Sequence, residues 1–530
     1  MLKSVMTVGG WTMASRILGF VRDMLMAALI GTGPVADAFF VANKLPNLFR
    51  RLFGEGAFNA AFVPEFAGLL TAEGPAAARQ FAQEAMAVMA FWLGALTILG
   101  EIFMPQIMTV FAPGFSADPA KFALAVDLAR ITFPYLMLIC LAALLSGVLN
   151  GLDKFAAAAG APVLYNLFAI AALVGLAPYV PTVGHAAAWG VSVSGVVQLA
   201  LLVWAVKRAG MPVRLPRPRL TPRMRLLLRR MAPGLVGASA TQLNQAVDVI
   251  IASLLPAGTV SLLYYADRVQ QLPLGVIGTA VGTAILPLLS RQVRGGEAAA
   301  AVGTLNRAIE YALFLTLPAA LALAVSAFPI MLVLFGRGAF DVESARLSAQ
   351  SLTAYAVGLP AVVLLKVLAP AFFARGDTST PVRIGMITLA LNFVLNLALM
   401  VPLQHIGPPL ATSLAAMFNM GALAVMLIRR GFLVPDAALR RRLPRMLIAA
   451  LAMAVTLWFT EDPLFEAIAG ARGLRVVALA VLVGVGSGVY LLAAQLLGAI
   501  DLRDILALLR RRRLRRGGGS SISPAPSPET

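Results

Sequence analysis

Apolar residues recur along the chain in runs that match one hydrocarbon thickness, because an α-helix rising about 1.5 Å per residue needs about 20 residues to cross about 30 Å. Fourteen such stretches are predicted, near 5–30, 34–53, 84–111, 124–149, 160–180, 185–206, 228–254, 266–290, 308–335, 347–373, 384–403, 406–428, 444–460 and 475–499. Several hold no charge at all, among them LPLGVIGTAVGTAILPLLS (272–290) and YALFLTLPAALALAVSAFPIMLVLF (311–335). The second span has the softest end, and its helix is expected to run on, bent or along the surface, through GEGAFNAAFVPEF (54–66). Span thirteen is short for a full crossing. The pattern predicts an all-α polytopic membrane protein.

Polar residues between the spans sort by parity. Lys207, Arg208, Arg214, Arg217, Arg219, Arg223, Arg225, Arg229 and Arg230 lie between spans six and seven. Arg429, Arg430, Arg440, Arg441, Arg442 and Arg445 follow span twelve, and Arg510 to Arg513, Arg515 and Arg516 follow span fourteen. The alternate loops near 31–33, 181–184, 255–262 and 404–405 have no Lys or Arg. Retention of cations on the cytoplasmic side then places both termini in the cytoplasm. The composition agrees: 60% hydrophobic and 13% charged residues with a mean hydropathy of +0.86 exclude a soluble globule. The arginine runs between spans, which carry much of the net charge of +19, serve topology and contact with membrane-lipid headgroups, and no nucleic-acid partner is expected. One cysteine and two histidines leave no internal disulfide and no His/Cys metal site. The first span lacks a signal-peptide pattern and is expected to stay. The last residues, GGGSSISPAPSPET (517–530), read as a disordered polar tail.

A shift of about 223 residues brings parts of the chain onto one another: GHAAAWG (184–190) on GPPLATS (407–413), KLP (44–46) on QLP (271–273), APV (161–163) on TPV (380–382). The shift carries six spans onto six. It predicts two pseudo-symmetric lobes, 1–208 and 222–430, joined by a basic linker at 209–221, with spans thirteen and fourteen (431–500) added outside the symmetry and a cytoplasmic tail at 501–530.

Charged residues inside the spans demand an explanation, since Arg at a helix centre costs about 2.5 to 3.5 kcal/mol on insertion scales. SRILGFVRD (15–23) puts Arg16, Arg22 and Asp23 in span one, with Arg16 and Asp23 seven apart on one stripe. In span two Asp37, Lys44 and Arg51 are also seven apart, a stripe about 21 Å tall, with Arg50 beside it. YYADRVQQLP (264–273) adds Asp267 and Arg268. Cations outnumber carboxylates here, so these residues are expected to line a polar cavity that takes an anionic, phosphate-bearing guest. Elsewhere Asp248 interrupts span seven, while Asn392, Asn396 and Thr412 offer oxygens on spans eleven and twelve. They could hold Na⁺, or Asp248 a proton, for coupling to an ion gradient; helix-packing hydrogen bonds are the alternative. Lys366 in span ten reads as a snorkelling or locally paired cation.

SRILGFVRD, DAFFVANKLPNLFRRLFGEGAFNAAFVPEF (37–66), GVLNGLDKFAAAAGAPVLYN (147–166) and YADRVQQLP (265–273) resemble the MviN/MurJ family of bacterial lipid II flippases, within the superfamily of multidrug and oligosaccharidyl-lipid exporters. The resemblance implies fourteen helices with the two six-helix lobes arranged as a V. It places the family's cavity arginines on Arg16, Arg22, Arg50 and Arg268 and its cavity aspartate on Asp37. Lys44, Asn47, Arg51 and Glu55 belong to the same signature. It also implies a lipid-tail groove on spans thirteen and fourteen, and a Na⁺ site at Asp248, Asn392, Asn396 and Thr412, where Asn396 supplies an amide in place of a firmer carboxylate. Lipid II is the implied substrate, moved from the cytoplasmic to the periplasmic leaflet of the inner membrane without a cofactor, and other cell-wall synthesis proteins are candidate partners. Two alternatives remain: an exporter of another polyprenyl-diphosphate oligosaccharide or of a drug, and a membrane glycosyltransferase. The chain has neither a P-loop nor an Asp-x-Asp pair, which weighs against an ATP-driven pump and against the enzyme.

Overall fold

The computed structural model describes residues 2–53, 56–468 and 473–499, with side chains except at 2–6, 52–53, 56–57, 233–234, 236–241, 279–281, 283–284 and 467–468. Glu55 and the tail from 501 onwards lie outside the described residues, which contain helices and no strand. In chain order these are α1 (Leu2–Ile30), α2 (Pro34–Phe53), α3 (Gly56–Ala72), α4 (Pro75–Ile102), α5 (Met104–Phe111), α6 (Pro119–Thr132), α7 (Tyr135–Gly151), α8 (Phe155–Gly175) and α9 (Val183–Arg208). After the basic linker come α10 (Pro222–Ser253), α11 (Thr259–Pro273), α12 (Thr279–Arg294), α13 (Ala298–Val325), α14 (Ala327–Phe335), α15 (Val342–Phe373), α16 (Ser379–Leu403) and α17 (Gly407–Arg429). The last pair is α18 (Ala437–Ile468) and α19 (Leu474–Leu496).

Nine helical stretches among the described residues are long and apolar enough to cross a bilayer, which makes this a multi-pass membrane protein. The long helices α1, α2 and α10 fall outside that set, and they are the ones that carry Arg16, Arg22, Asp23, Asp37, Lys44 and Asp248. Where one apolar stretch is split into two helices a proline stands at or near the break: Pro105 for α4 and α5, Pro134 for α6 and α7, Pro273 for α11 and α12, Pro329 for α13 and α14. Proline lacks the N–H that would continue the ladder and its ring crowds the carbonyl four residues back. Beyond span two the chain forms α3, a separate helix in which Phe58, Phe62 and Phe66 stack along one side, with Phe81 of α4 on Phe62. Span thirteen is longer than expected. The helix α18 has 32 residues, about 48 Å, because it carries its charged ends, Arg440 to Arg442 and Glu461 to Asp462, beyond the apolar stretch.

One buried apolar cluster runs through both halves of the molecule, including Phe39 and Phe40 of α2, Tyr265 of α11, Phe335 of α14 and Phe340. A second joins α3, α4 and α7 to Met224, Leu227 and Met231 at the start of α10. A third seats α18 and α19 on α13 through Phe314, Met446, Leu457 and Tyr490, whose hydroxyl donates to the Phe314 carbonyl at 2.8 Å. The halves therefore meet at both ends. At one end main chain meets main chain: Ala339 N–H donates to the Ala28 carbonyl at 2.8 Å. Gly31 (φ 69°) and Gly338 (φ 57°) make that approach possible, since a Cβ on Gly338 would stand 2.2 Å from Ala28 O and one on Gly31 2.4 Å from Ala339 O. At the other end α10 meets α3 and the turn after it through exposed pairs, Arg230 with Glu65 and Arg223 with Glu73, each worth at most about 1 kcal/mol.

Candidate functional site

Asp23 of α1, fully buried, is the centre of the charge cluster. Its carboxylate accepts from the neighbouring Arg22 (Nη2, 2.8 Å), from Arg268 of α11 (Nε, 2.5 Å) and from the Tyr264 hydroxyl (3.1 Å). Two guanidiniums from opposite halves share one negative charge, so the cluster keeps a net positive charge. Arg22 also donates to Asn166 Oδ1 of α8 at 3.1 Å, and Asn166 is held in turn by its own bond to the Ser15 carbonyl at 3.0 Å. Tyr165 and Tyr264 lie under Arg22 and Arg268, 5.3 and 5.9 Å from the guanidinium carbons. The void beside Arg22, lined also by Met26, Asn43 and Tyr264, holds about 10 Å³, room for one water at most. The space beside Arg22 is thus nearly filled, while the Arg268 side chain stays 32% exposed.

Two turns further from the main-chain seam Arg16 is exposed, has no ion pair among the described residues, and reaches across to the chain after α11, where a Cβ on Gly275 would be 3.6 Å from its Nη1. On α2, Lys44 faces the carboxylates of Asp267 and Asp248. Asn47 donates to the Asn43 carbonyl at 2.7 Å and accepts from Arg50 Nε at 3.3 Å, while exposed Arg51 donates to Gln245 of α10 at 3.0 Å. Arg16, Arg22, Lys44, Arg51 and Arg268 thus each lie near a group of the other half: Gly275, Tyr264, Asp267, Gln245 and Asp23 respectively.

Asp37 does not join them. It is 1% exposed and fully engaged: Lys121 Nζ at 2.8 Å, Gly258 N–H at 2.7 Å, and the Ser261 N–H and hydroxyl at 2.9 Å each. The expectation that it lines the cavity is corrected here. Asp37 caps the N-terminus of α11 from the opposite half, where free amide groups and the helix dipole favour a carboxylate. Its partner Lys121 escaped the sequence reading. The one signal was a single lysine at the start of an otherwise apolar stretch, AKFALAV (120–126), in the first turn of α6.

The second predicted group does assemble. Asn392 Nδ2 donates to Thr412 Oγ1 at 3.4 Å, Asn396 donates to the Asn392 carbonyl at 3.0 Å, and Asp248 of α10 lies against Asn396. The Oδ1 atoms of Asp248 and Asn396 are buried and accept no hydrogen bond. Lys366, by contrast, has no ion pair or hydrogen bond among the described residues, so the expectation of a local partner fails.

Two helical halves closed on a buried surplus of positive charge, inside a membrane-spanning fold, define a carrier of the exporter type. Solved structures of that type share the fold. A multidrug resistance MATE family transporter of the MOP superfamily in an inward-facing conformation covers 82% of this chain and 98% of its own at a TM-score of 0.63 and 14% identity. A structure of lipid II flippase MurJ in an inward closed conformation covers 94% and 99% at a TM-score of 0.77 and 24% identity. In sequence, the family of lipid II flippase MurJ matches residues 26–466. A probable lipid II flippase MurJ of Rhizobium meliloti (strain 1021) is 44% identical over 528 residues, 98% of this chain and 97% of the relative. The lipid II flippase MurJ of Burkholderia cenocepacia is 34% identical over 461 residues, 86% and 89% of the two chains. The chain belongs to the lipid II flippase MurJ family.

Proposed function

We infer that this protein is a lipid II flippase, which moves the lipid-linked peptidoglycan precursor across the inner membrane from the cytoplasmic to the periplasmic leaflet. The observation that carries the reading is the sharing of the one Asp23 carboxylate by Arg22 and Arg268. Buried cations in excess of carboxylates are costly unless an anion reaches them, and the diphosphate of the substrate is such an anion. The protein acts by alternating access, and membrane lipid houses the polyprenyl tail while the headgroup crosses between the halves. It makes and breaks no covalent bond. Both termini face the cytoplasm, which puts the main-chain seam at the periplasmic end and the exposed pairs of α10 at the cytoplasmic end. Further cell-wall synthesis proteins are candidate partners.

Asp248, Asn392, Asn396 and Thr412 suit Na⁺, since two unpartnered oxygens face a group whose remaining donors are oxygen atoms; the Asp248 carboxylate alone would serve a proton. Lys44 faces Asp248 as well, so occupancy of this cluster and the charge of the substrate cavity are linked electrostatically. The test is accessibility of lipid II at the outer face of spheroplasts depleted of their flippase. Supplying this protein should restore it; Arg268→Ala or Arg22→Ala, at normal protein level, should not. Full restoration by both variants would overturn the reading.

A further inference from the structure

The turn after α11 is unlike any other in the molecule's described helices. Pro273 ends α11, and Leu274–Gly278 form a π-helical turn before α12 begins. Proline withholds one N–H from the ladder, and a π turn absorbs the loss by widening the helix, a device often found where a helix meets a ligand. Two cations from opposite halves flank this turn. Arg16 of α1 stands at Gly275, 3.6 Å from where a Cβ would be. Lys366 of α15 lies along Gly282 and Gly278: its Cβ is 3.6 Å from a Cβ on Gly282, and its Nζ 2.9 Å from one on Gly278. A Cβ at 278 would occupy the place of that ammonium, so the end of the lysine would have to move.

The direction of Lys366 matters. It sits seven residues from the end of α15 and twenty-four from its start, yet its stem runs from Gly282 back to Gly278, away from the nearer helix end. A snorkelling lysine would reach for that end. This one holds its charge inward, half-buried in VVLLKVLAP (362–370), with no ion pair or hydrogen bond among the described residues. Arg16 has no ion pair there either. Gly275 and Gly278 are three residues apart on the π turn, so both cations stand against the same short stretch of chain. Arginine offers a fork and lysine a point charge, and both suit phosphate oxygens.

We propose that Lys366 is a substrate-binding residue, and that with Arg16 it grips the diphosphate of the polyprenyl-linked substrate across the π turn, one phosphoryl group to each cation. The proposal rests on the flippase reading and adds a contact from the C-terminal half. Binding of lipid II and of undecaprenyl monophosphate to the purified full-length protein in nanodiscs tests it. Lys366→Gln should weaken lipid II about 10-fold and the monophosphate less than about 3-fold, because Arg16 still serves one phosphoryl group. Lys366→Arg should recover affinity to within about 3-fold. Gly278→Ala keeps the lysine but pushes its flexible end out of the groove, and should weaken lipid II as Lys366→Gln does. Lipid II affinity unchanged in Lys366→Gln, while Arg268→Ala loses it, would overturn the assignment and leave the flippase reading standing. Equal losses for both lipids, or no recovery with arginine, would also overturn it. Absence of lipid II binding by the unaltered protein would overturn both.

Discussion

Asp37→Asn is the sharpest test of how the two halves are held together. The carboxylate accepts four hydrogen bonds, from Lys121, from the Gly258 N–H and from both donors of Ser261. Hydrogen bonds to a charged group contribute about 1.5 to 3 kcal/mol each, against about 0.5 to 1.5 for neutral pairs. Asparagine keeps the shape and one acceptor oxygen but strands Lys121, which is only 7% exposed. Removing one partner of a buried pair costs about 3 to 5 kcal/mol. Even 3 kcal/mol, at about 1.4 kcal/mol per tenfold, shifts the closed-to-open ratio of this seam by about 100-fold. Spin labels on cysteines at Pro34 and Ala257, both exposed beside the seam, in a Cys140→Ser background, would read the distance between the halves. Asp37→Asn should add a long-distance population that the unaltered protein lacks. Adding Lys121→Met should partly remove it, since the stranded charge is then gone. Identical distance distributions in Asp37→Asn and the unaltered protein would refute the view that this carboxylate seals the halves.

Other perturbations reach different parts of the fold. Gly338→Ala should lower the thermal midpoint by several degrees and open the same spin-label distance, because φ is 57° and the added methyl meets the Ala28 carbonyl; an unchanged midpoint and distance would count against a main-chain seal. Glu310, 2% exposed, accepts from Arg307 at 2.7 Å and from Arg442 of α18, so Glu310→Ala should loosen α18 and α19 by about 3 kcal/mol, read as faster proteolysis of the 430–437 connection. Asp341 caps α15, and the bond from the Ser344 N–H at 2.7 Å lowers its pKa. A carboxylate lowered in the folded state stabilises above its unfolded value of about 3.9 and ceases to as pH falls through the folded one. Faster amide exchange at Ser344 should therefore appear only below about pH 4, and Asp341→Asn should abolish that acid step. Asp248→Asn should alter the sodium or proton dependence of flipping; equal transport across both gradients would remove Asp248 from coupling.

Much of this was legible in the chain because a membrane imposes strong rules. Apolar length marked the helices, and the four prolines that split them were visible, although whether each would break or only bend its helix depends on what packs around it. Seven-residue spacing put Arg16 and Asp23 on one stripe, and that stripe meets the other half. The same arithmetic failed at Asp37, since periodicity says which side a residue faces and nothing about which distant donor arrives there: Lys121 is 84 residues away and Ser261 another 140 beyond that. The course of Lys366 was hidden for a related reason. Its inward course depends on Gly278 and Gly282 of another helix, and no pattern within span ten contains that fact.

The sharing of Asp23 has a consequence for an unloaded cycle. Arg22 and Asp23 stand on one helix and travel together, whereas Arg268 belongs to the other half and must give up the carboxylate when the halves part. Parted from Asp23, its guanidinium loses a charge-assisted hydrogen bond. Cargo supplies the missing anion at the moment of parting. The arrangement is an interlock, by which an empty protein is kept from idling between its two faces.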